Sequence, residues 1–232
     1  MTVKGVLLWD FDGTLGERPG KWSQALLEAL DATAPGHGFS RAEIAAELSS
    51  GFPWHEHRRG HPELCDSDAW WAHMAGVLSR ALARLGVSPD TAGRAAGLVR
   101  SLYPDPAYWR LFDDAVPALD ELSGRGWRHV LVSNHVPELE EILACLGIPG
   151  RFQAIINSAV TGYEKPHPEA FRLALAAAGQ PTRVWMIGDS LAADVAGAQS
   201  AGIDAILVRS ANPAARYQAE GLLGVLPIVE DM

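Results

Sequence analysis

Two of the twenty amino acids are scarce in this chain of 232 residues: cysteine occurs at Cys65 and Cys145 only, and lysine at Lys4, Lys21 and Lys165 only. Two cysteines so far apart exclude a disulfide framework and a zinc-binding spacing, and both are expected to be reduced. With 16 of the 19 basic residues being arginine, the bias towards Arg and Ala reads as coding composition. A lysine retained at a polar turn therefore carries weight. No apolar run approaches the roughly 18 residues of a membrane span, and the first one, Gly5 to Trp9, stops at Asp10 before it reaches the length of a signal-peptide core. A cytoplasmic protein without a membrane partner is expected. Internal repeats and low-complexity tracts are missing as well.

A formal net charge of −9 disfavours a nucleic-acid partner, because a phosphate backbone would be repelled. A small anionic substrate is compatible with that charge. The composition, 48% hydrophobic and 20% charged, is that of a chain folding throughout, and its length suits one α/β domain with a sizeable insert.

Val3 to Trp9 reads as a strand covered on both faces and ended by the turn Asp-Phe-Asp-Gly. From Gly126 onward strands and helices alternate: strands at 128–132, 153–156, 184–187 and 203–208, helices at 137–146, 168–178 and 190–201. Such alternation predicts a parallel sheet wrapped by helices. Between Glu17 and Trp109 the periods are helical. Trp22, Ala25, Leu26, Ala29 and Leu30 share one helix face, Ser40 with Glu43 forms a capping-box signature, and Ser88-Pro89 opens another helix. Trp70 and Trp71 are expected in the core of this helical insert. Leu15 to Pro19 and Tyr103 to Leu111 are expected to join it to the sheet.

Three strands end in a polar residue at their carboxyl edge, Asp10, Ser133 and Asp189, and ligands bind at that edge of open parallel sheets. Asp12, Lys165 and Asp194 can reach the same edge. Several carboxylates gathered there require a cation, and an all-oxygen donor set suits magnesium, which in turn suggests a phosphate substrate. Lys165 would act as a point charge on the transferring group, while Ser133 and the amides of the turn from Asp10 to Gly13 would cradle its oxygens.

Asp10-Phe-Asp12-Gly13-Thr14-Leu15 resembles the first motif of the haloacid dehalogenase superfamily. Leu131-Val132-Ser133-Asn134 is similar to the second, Glu164-Lys165-Pro166-His167-Pro168 to the third, and Gly188-Asp189-Ser190 with Asp194 to the fourth. The resemblance implies a Rossmann-like core domain, residues 1–16 and 110–232, with an α-helical cap domain inserted over 17–109. It implies a phosphatase in which Asp10 is the nucleophile, forming an aspartyl-phosphate, and Asp12 the acid and base. Magnesium would be held by the Asp10 carboxylate, the Asp12 carbonyl and the Asp189 carboxylate, with Asp194 either a further ligand or the acid that orients one. Lys165 would hold Asp10 and the phosphate together, and Ser133 with Asn134 would complete the phosphate cup.

Asp12 argues against dehalogenation, since a halide leaves without a proton whereas an alkoxide needs one. A phosphomutase is the alternative that keeps both acids, and a phospho-acceptor switch has no use for so large a cap. The expected partner is a small phosphorylated metabolite, and the composition leaves monomer and homodimer both open. Within the cap, Phe52-Pro-Trp-His-Glu-His-Arg-Arg-Gly-His61 is the only dense basic cluster, read either as a solvated face or as contact with an anionic leaving group.

Overall fold

The computed structural model describes residues 3–231. Strand β1 (Gly5–Trp9) is buried along its whole length, as a doubly covered strand must be. Its alternate residues face opposite layers: Val6 and Leu8 pack with Phe171 and Ala174, whereas Leu7 and Trp9 belong to the cluster holding Leu119 and Leu122.

After a short strand β2 (Gly16–Glu17) come four helices: α1 (Lys21–Thr33), α2 (Arg41–Ala46), α3 (Ser67–Arg84) and α4 (Pro89–Leu102). Each start is set locally. Ser40 and Glu43 form the full capping box of α2, Asp66 caps α3 through the amides of Asp68 and Ala69, and Ser88 with Pro89 opens α4. Ala25, Leu26, Ala29 and Leu30 bury one face of α1, and α4 packs against both α1 and α3. Trp70 and Trp71 lie in this helical core.

The chain returns through β3 (Arg110–Leu111), which pairs antiparallel with β2, with Arg110 ion-paired to Glu17. The two crossings between layers are thus tied into a two-stranded ribbon, where the sequence reading has only connections. A run of two residues carries no period, which is why neither strand is legible in advance.

The remaining strands are β4 (Trp127–Ser133), β5 (Ala154–Asn157), β6 (Val184–Gly188), β7 (Asp204–Val208) and β8 (Tyr217–Ala219). The large sheet runs β5-β4-β1-β6-β7-β8, parallel throughout. Among these six strands the third, second and first in chain order precede the fourth, fifth and sixth, which is the doubly wound Rossmann order. The direction of winding reverses between β1 and β6, so the crevice lies where Asp10 and Asp189 leave the sheet. Strand β8 lies outside the strands expected from the sequence. Among the described residues no helix is long and apolar enough to cross a membrane.

Candidate active site

Asp10 follows β1 directly and Asp189 follows β6, which puts two carboxylates on adjacent strands at the switch point. Asp194 comes from a wide, π-type helical turn, Leu191–Ala196, of the kind that often marks functional sites. One carboxylate oxygen from each of these three aspartates lies within 4.8 Å of the others. Lys165 enters from the loop before the helix Pro168–Ala177, its Nζ donating to Asp10 Oδ1 at 2.8 Å and to Asp194 Oδ1 at 2.6 Å. The other Asp194 oxygen accepts from the Ser190 amide at 3.0 Å.

Two glycines make this closeness possible. A Cβ on Gly13, whose φ is +99°, would stand 2.3 Å from Asp189 Oδ2, and one on Gly188 would stand 2.2 Å from the Asp194 carboxyl carbon. Both positions must lack a side chain for the aspartates to approach.

Burial raises the pKa of Asp189, and the negative charge of Asp10 adds to it. Burial also raises Asp194, against the pull of the Lys165 ammonium. For Lys165 itself burial works against the charge, yet Asp10 and Asp194 outweigh it and hold its pKa above the ordinary value. Asp12 is pushed up to about 6, by burial first, with Lys21 opposing and Asp10 reinforcing. That value leaves Asp12 able to give or take a proton near neutrality.

Six of the expected site residues, Asp10, Asp12, Asn134, Lys165, Asp189 and Asp194, line one cavity of about 380 Å³, whereas Gly13 and Ser133 are not part of its lining. Ser133 is buried at the end of β4 with no hydrogen-bond partner for its hydroxyl. Within the turn from Asp10 to Gly13, the Gly13 amide donates to the Gly16 carbonyl at 2.8 Å and the Asp10 amide to the Ile187 carbonyl at 3.0 Å, so Gly13 contributes room for Asp189 and its own amide is engaged. The Asn134 side chain both donates to the Lys165 carbonyl at 2.9 Å and accepts from the Lys165 amide at 2.7 Å. One of its two amide hydrogens is thus spent on the lysine's backbone, and the residue still lines the cavity.

Lys21 is the residue the sequence reading passes over. It opens α1 with φ +47° after Gly20 at φ +76°, and this pair of left-handed residues turns its Nζ to 3.4 Å from Asp12 Oδ1. The available signal was its rarity, one of three lysines, directly after Pro19-Gly20. His135 is a second such residue: it lines the cavity, both ring nitrogens lack partners, and burial lowers its pKa to about 4. Of the basic cluster at 52–61, Phe52, Trp54 and His55 line the cavity, whereas Arg59 pairs with Glu56 and Glu63 at the surface.

The donors around the cavity fit a divalent cation. Four aspartates and two lysines line it, leaving a formal charge of −2 when all are ionised. Buried excess negative charge of that size calls for a counter-ion, and hard carboxylate oxygens suit magnesium.

Comparison with known proteins agrees with the geometry. The sequence model of the haloacid dehalogenase-like hydrolases matches residues 5–202. A phosphoserine phosphatase of Thermus thermophilus is 33% identical over 227 residues, covering 88% of each chain. A glyceraldehyde 3-phosphate phosphatase of Methanothermobacter thermautotrophicus is 36% identical over a shorter stretch, 45% of this chain and 47% of its own. Among solved structures, a Bacillus subtilis hydrolase of the same superfamily, described with magnesium bound, superposes with a TM-score of 0.74 over 97% of this chain and 98% of its own, at 21% identity.

Proposed function

This chain belongs to the haloacid dehalogenase-like hydrolase family, and on that premise we propose that it is a magnesium-dependent phosphatase acting on a small phosphate monoester through an aspartyl-phosphate. The observation that carries the reading is the buried Lys165 ammonium shared between Asp10 and Asp194, with Asp12 lining the same cavity at a pKa of about 6.

The Asp10 carboxylate attacks phosphorus, and the bond from phosphorus to the ester oxygen breaks. Asp12 gives its proton to the leaving alkoxide, so the alcohol departs neutral. Asp12, now ionised, takes a proton from a water that attacks the phosphorus of the acyl phosphate. Inorganic phosphate leaves and the Asp10 carboxylate is restored. Lys165 fixes the Asp10 carboxylate for attack, and the unpartnered Ser133 hydroxyl is the donor available to a phosphoryl oxygen. The carboxylates of Asp10 and Asp189 with the Asp12 carbonyl would hold magnesium. Asp194, with both oxygens occupied by Lys165 and Ser190, suits orienting the site more than direct ligation. When bound, the cation supplies charge neutralisation for the phosphoryl oxygens.

Residues of the helical layer line the cavity opposite the sheet edge, which favours a small metabolite over a macromolecular substrate. Phosphatases of both an amino-acid ester and a triose ester resemble this chain, so the similarity leaves the leaving group open. The two cysteines, exposed and unbridged, support a reducing, cytoplasmic location. The test is phosphate release from a panel of small monoesters with and without magnesium. Release that needs magnesium and is lost in Asp10→Asn is expected; release that persists in Asp10→Asn would overturn the nucleophile assignment.

A further inference from the structure

The cavity has two chemically distinct halves. Its floor, at the sheet edge, is charged. Its roof, contributed by the helical layer, is built largely from aromatic rings. Trp22 and Tyr103 stack with centroids 3.8 Å apart and planes 11° apart, and Phe52 stacks on Trp54 at 4.6 Å and 25°. The two stacks meet at tilted contacts, the Trp22 ring centroid lying 5.4 Å from that of Phe52 and 6.3 Å from that of Trp54, so four rings form one continuous wall. Phe52 and Tyr103 are buried and fix the wall, while Trp22 and Trp54 are only partly covered and keep surface for a ligand. Leu48 extends the apolar side.

Polar partners for a leaving group are few on this roof. The Ser23 hydroxyl donates to the Gly20 carbonyl at 2.9 Å. Lys21 faces Asp12. His55 is partly desolvated, which lowers its pKa and favours the neutral ring. Among the described residues, no arginine lines the cavity, and no carboxylate does so from the helical layer. A zwitterionic amino-acid ester would find no acid for its ammonium group, and a polyol ester would strip water from hydroxyls that gain few partners in return.

We propose that the leaving group this cavity selects carries an aromatic or heteroaromatic ring, seated against Trp22 and Trp54 while the phosphate lies on Asp10 and Lys165. Offset or edge-to-face contact with indole rings rewards a planar π face beyond simple apolar burial. The volume of about 380 Å³ is near the small end of ligand pockets, roughly 300–1,000 Å³, so it takes one ring close to the phosphate and not an extended polycycle. This inference rests on the phosphatase reading for the position of the phosphate, and its test is separable from that reading.

Binding of non-hydrolysable phosphonates to the full chain is measured by titration calorimetry in magnesium. Benzylphosphonate, cyclohexylmethylphosphonate and the phosphonate analogue of phosphoserine are compared. Benzylphosphonate is expected to bind more tightly than either by about threefold to tenfold, the size of effect that aromatic contacts give. Trp54→Ala should reduce the benzyl-to-cyclohexylmethyl ratio towards unity, and Trp54→Phe, which keeps a π face, should restore part of it. Equal affinity for the benzyl and cyclohexylmethyl compounds, or tighter binding of the amino-acid analogue, would overturn the proposal. A benzyl preference in binding without phosphate release from any ester would leave this inference standing and sink the phosphatase reading instead.

Discussion

Lys165→Met, alone and combined with Asp194→Asn, probes the charge arrangement most directly. The lysine side chain is 2% exposed and that of Asp194 1%, so neither solvent nor salt screens the pair appreciably. Methionine keeps the length and removes the charge. It leaves Asp10 and Asp194 buried without their ammonium, and two hydrogen bonds of 2.8 and 2.6 Å vanish together. Deleting one partner of a buried ion pair costs about 3–5 kcal/mol. In a chain of this size about 2–4 °C of melting temperature accompanies each kcal/mol, so the midpoint should fall by roughly 10 °C. In the double variant the carboxylate that lost its counter-ion is itself gone. An asparagine oxygen can still accept from the Ser190 amide. The double variant should therefore be less destabilised than the two single changes added together, with a coupling on the order of 2 kcal/mol. Urea unfolding of the four proteins in chelator, where no divalent cation compensates, measures this. Additivity within about 0.5 kcal/mol would refute the claim that Lys165 and Asp194 act as a buried ion pair.

Gly13→Ala would drive a methyl group into Asp189 Oδ2 and strain a φ of +99°. Magnesium affinity, followed by calorimetry, should fall about tenfold, the smaller end of what displacing a ligand's support produces; an unchanged affinity would exclude Asp189 from the cation site. His129 gives a pH dependence. Its Nδ1 accepts from Trp9 Nε1 at 2.9 Å while Nε2 faces the Ser123 hydroxyl and the Leu119 carbonyl, which suits the neutral ring, and burial depresses its pKa to about 4. The folded protein resists protonation that the unfolded chain accepts near 6.5. The stabilisation is therefore complete above pH 6.5 and fades as pH falls towards 4, by roughly 3 kcal/mol. Unfolding of wild type and His129→Gln between pH 7 and 4 should show the steeper loss in wild type; parallel slopes would refute it.

The sheet half of the molecule was legible because its signals are local and repeat. Each core strand up to β7 is a short apolar run closed by a polar residue or a turn, so order and edge follow from the one-dimensional pattern. Expected boundaries differ from the observed ones by a residue or two, as at β1, which begins at Gly5 rather than Val3. Strand β8, Tyr-Gln-Ala, has too few apolar positions to announce itself, and it owes its conformation to pairing with β7. The sequence pattern predicts a single regular helix from Ser190 to Ala201, whereas its first turns are wide. Such a turn follows from where Asp194 must reach and leaves no mark in composition.

What sequence could not convey is which side chains are already engaged. Asn134 and Gly13 have the chemistry of phosphate donors, and only the fold reveals that the Lys165 carbonyl takes one hydrogen of the Asn134 side chain and the Gly16 carbonyl takes the Gly13 amide. The same blindness runs in the other direction for the roof of the cavity. Trp22 lies at a helix position whose neighbours Ala25, Leu26 and Ala29 are all buried, so helical periodicity assigns it to the core with them. Periodicity reports the mean direction of a face and says nothing about its end. At the first turn of α1 that face runs out over the sheet edge, and the residue that would have been core becomes cavity wall, beside Lys21 turned towards Asp12 by two left-handed residues. Charge convergence at strand ends can be counted from sequence because topology fixes it. The chemistry of the cavity's helical side depends on where each helix stops relative to the sheet, and that is set by packing between distant segments such as α1 and α4.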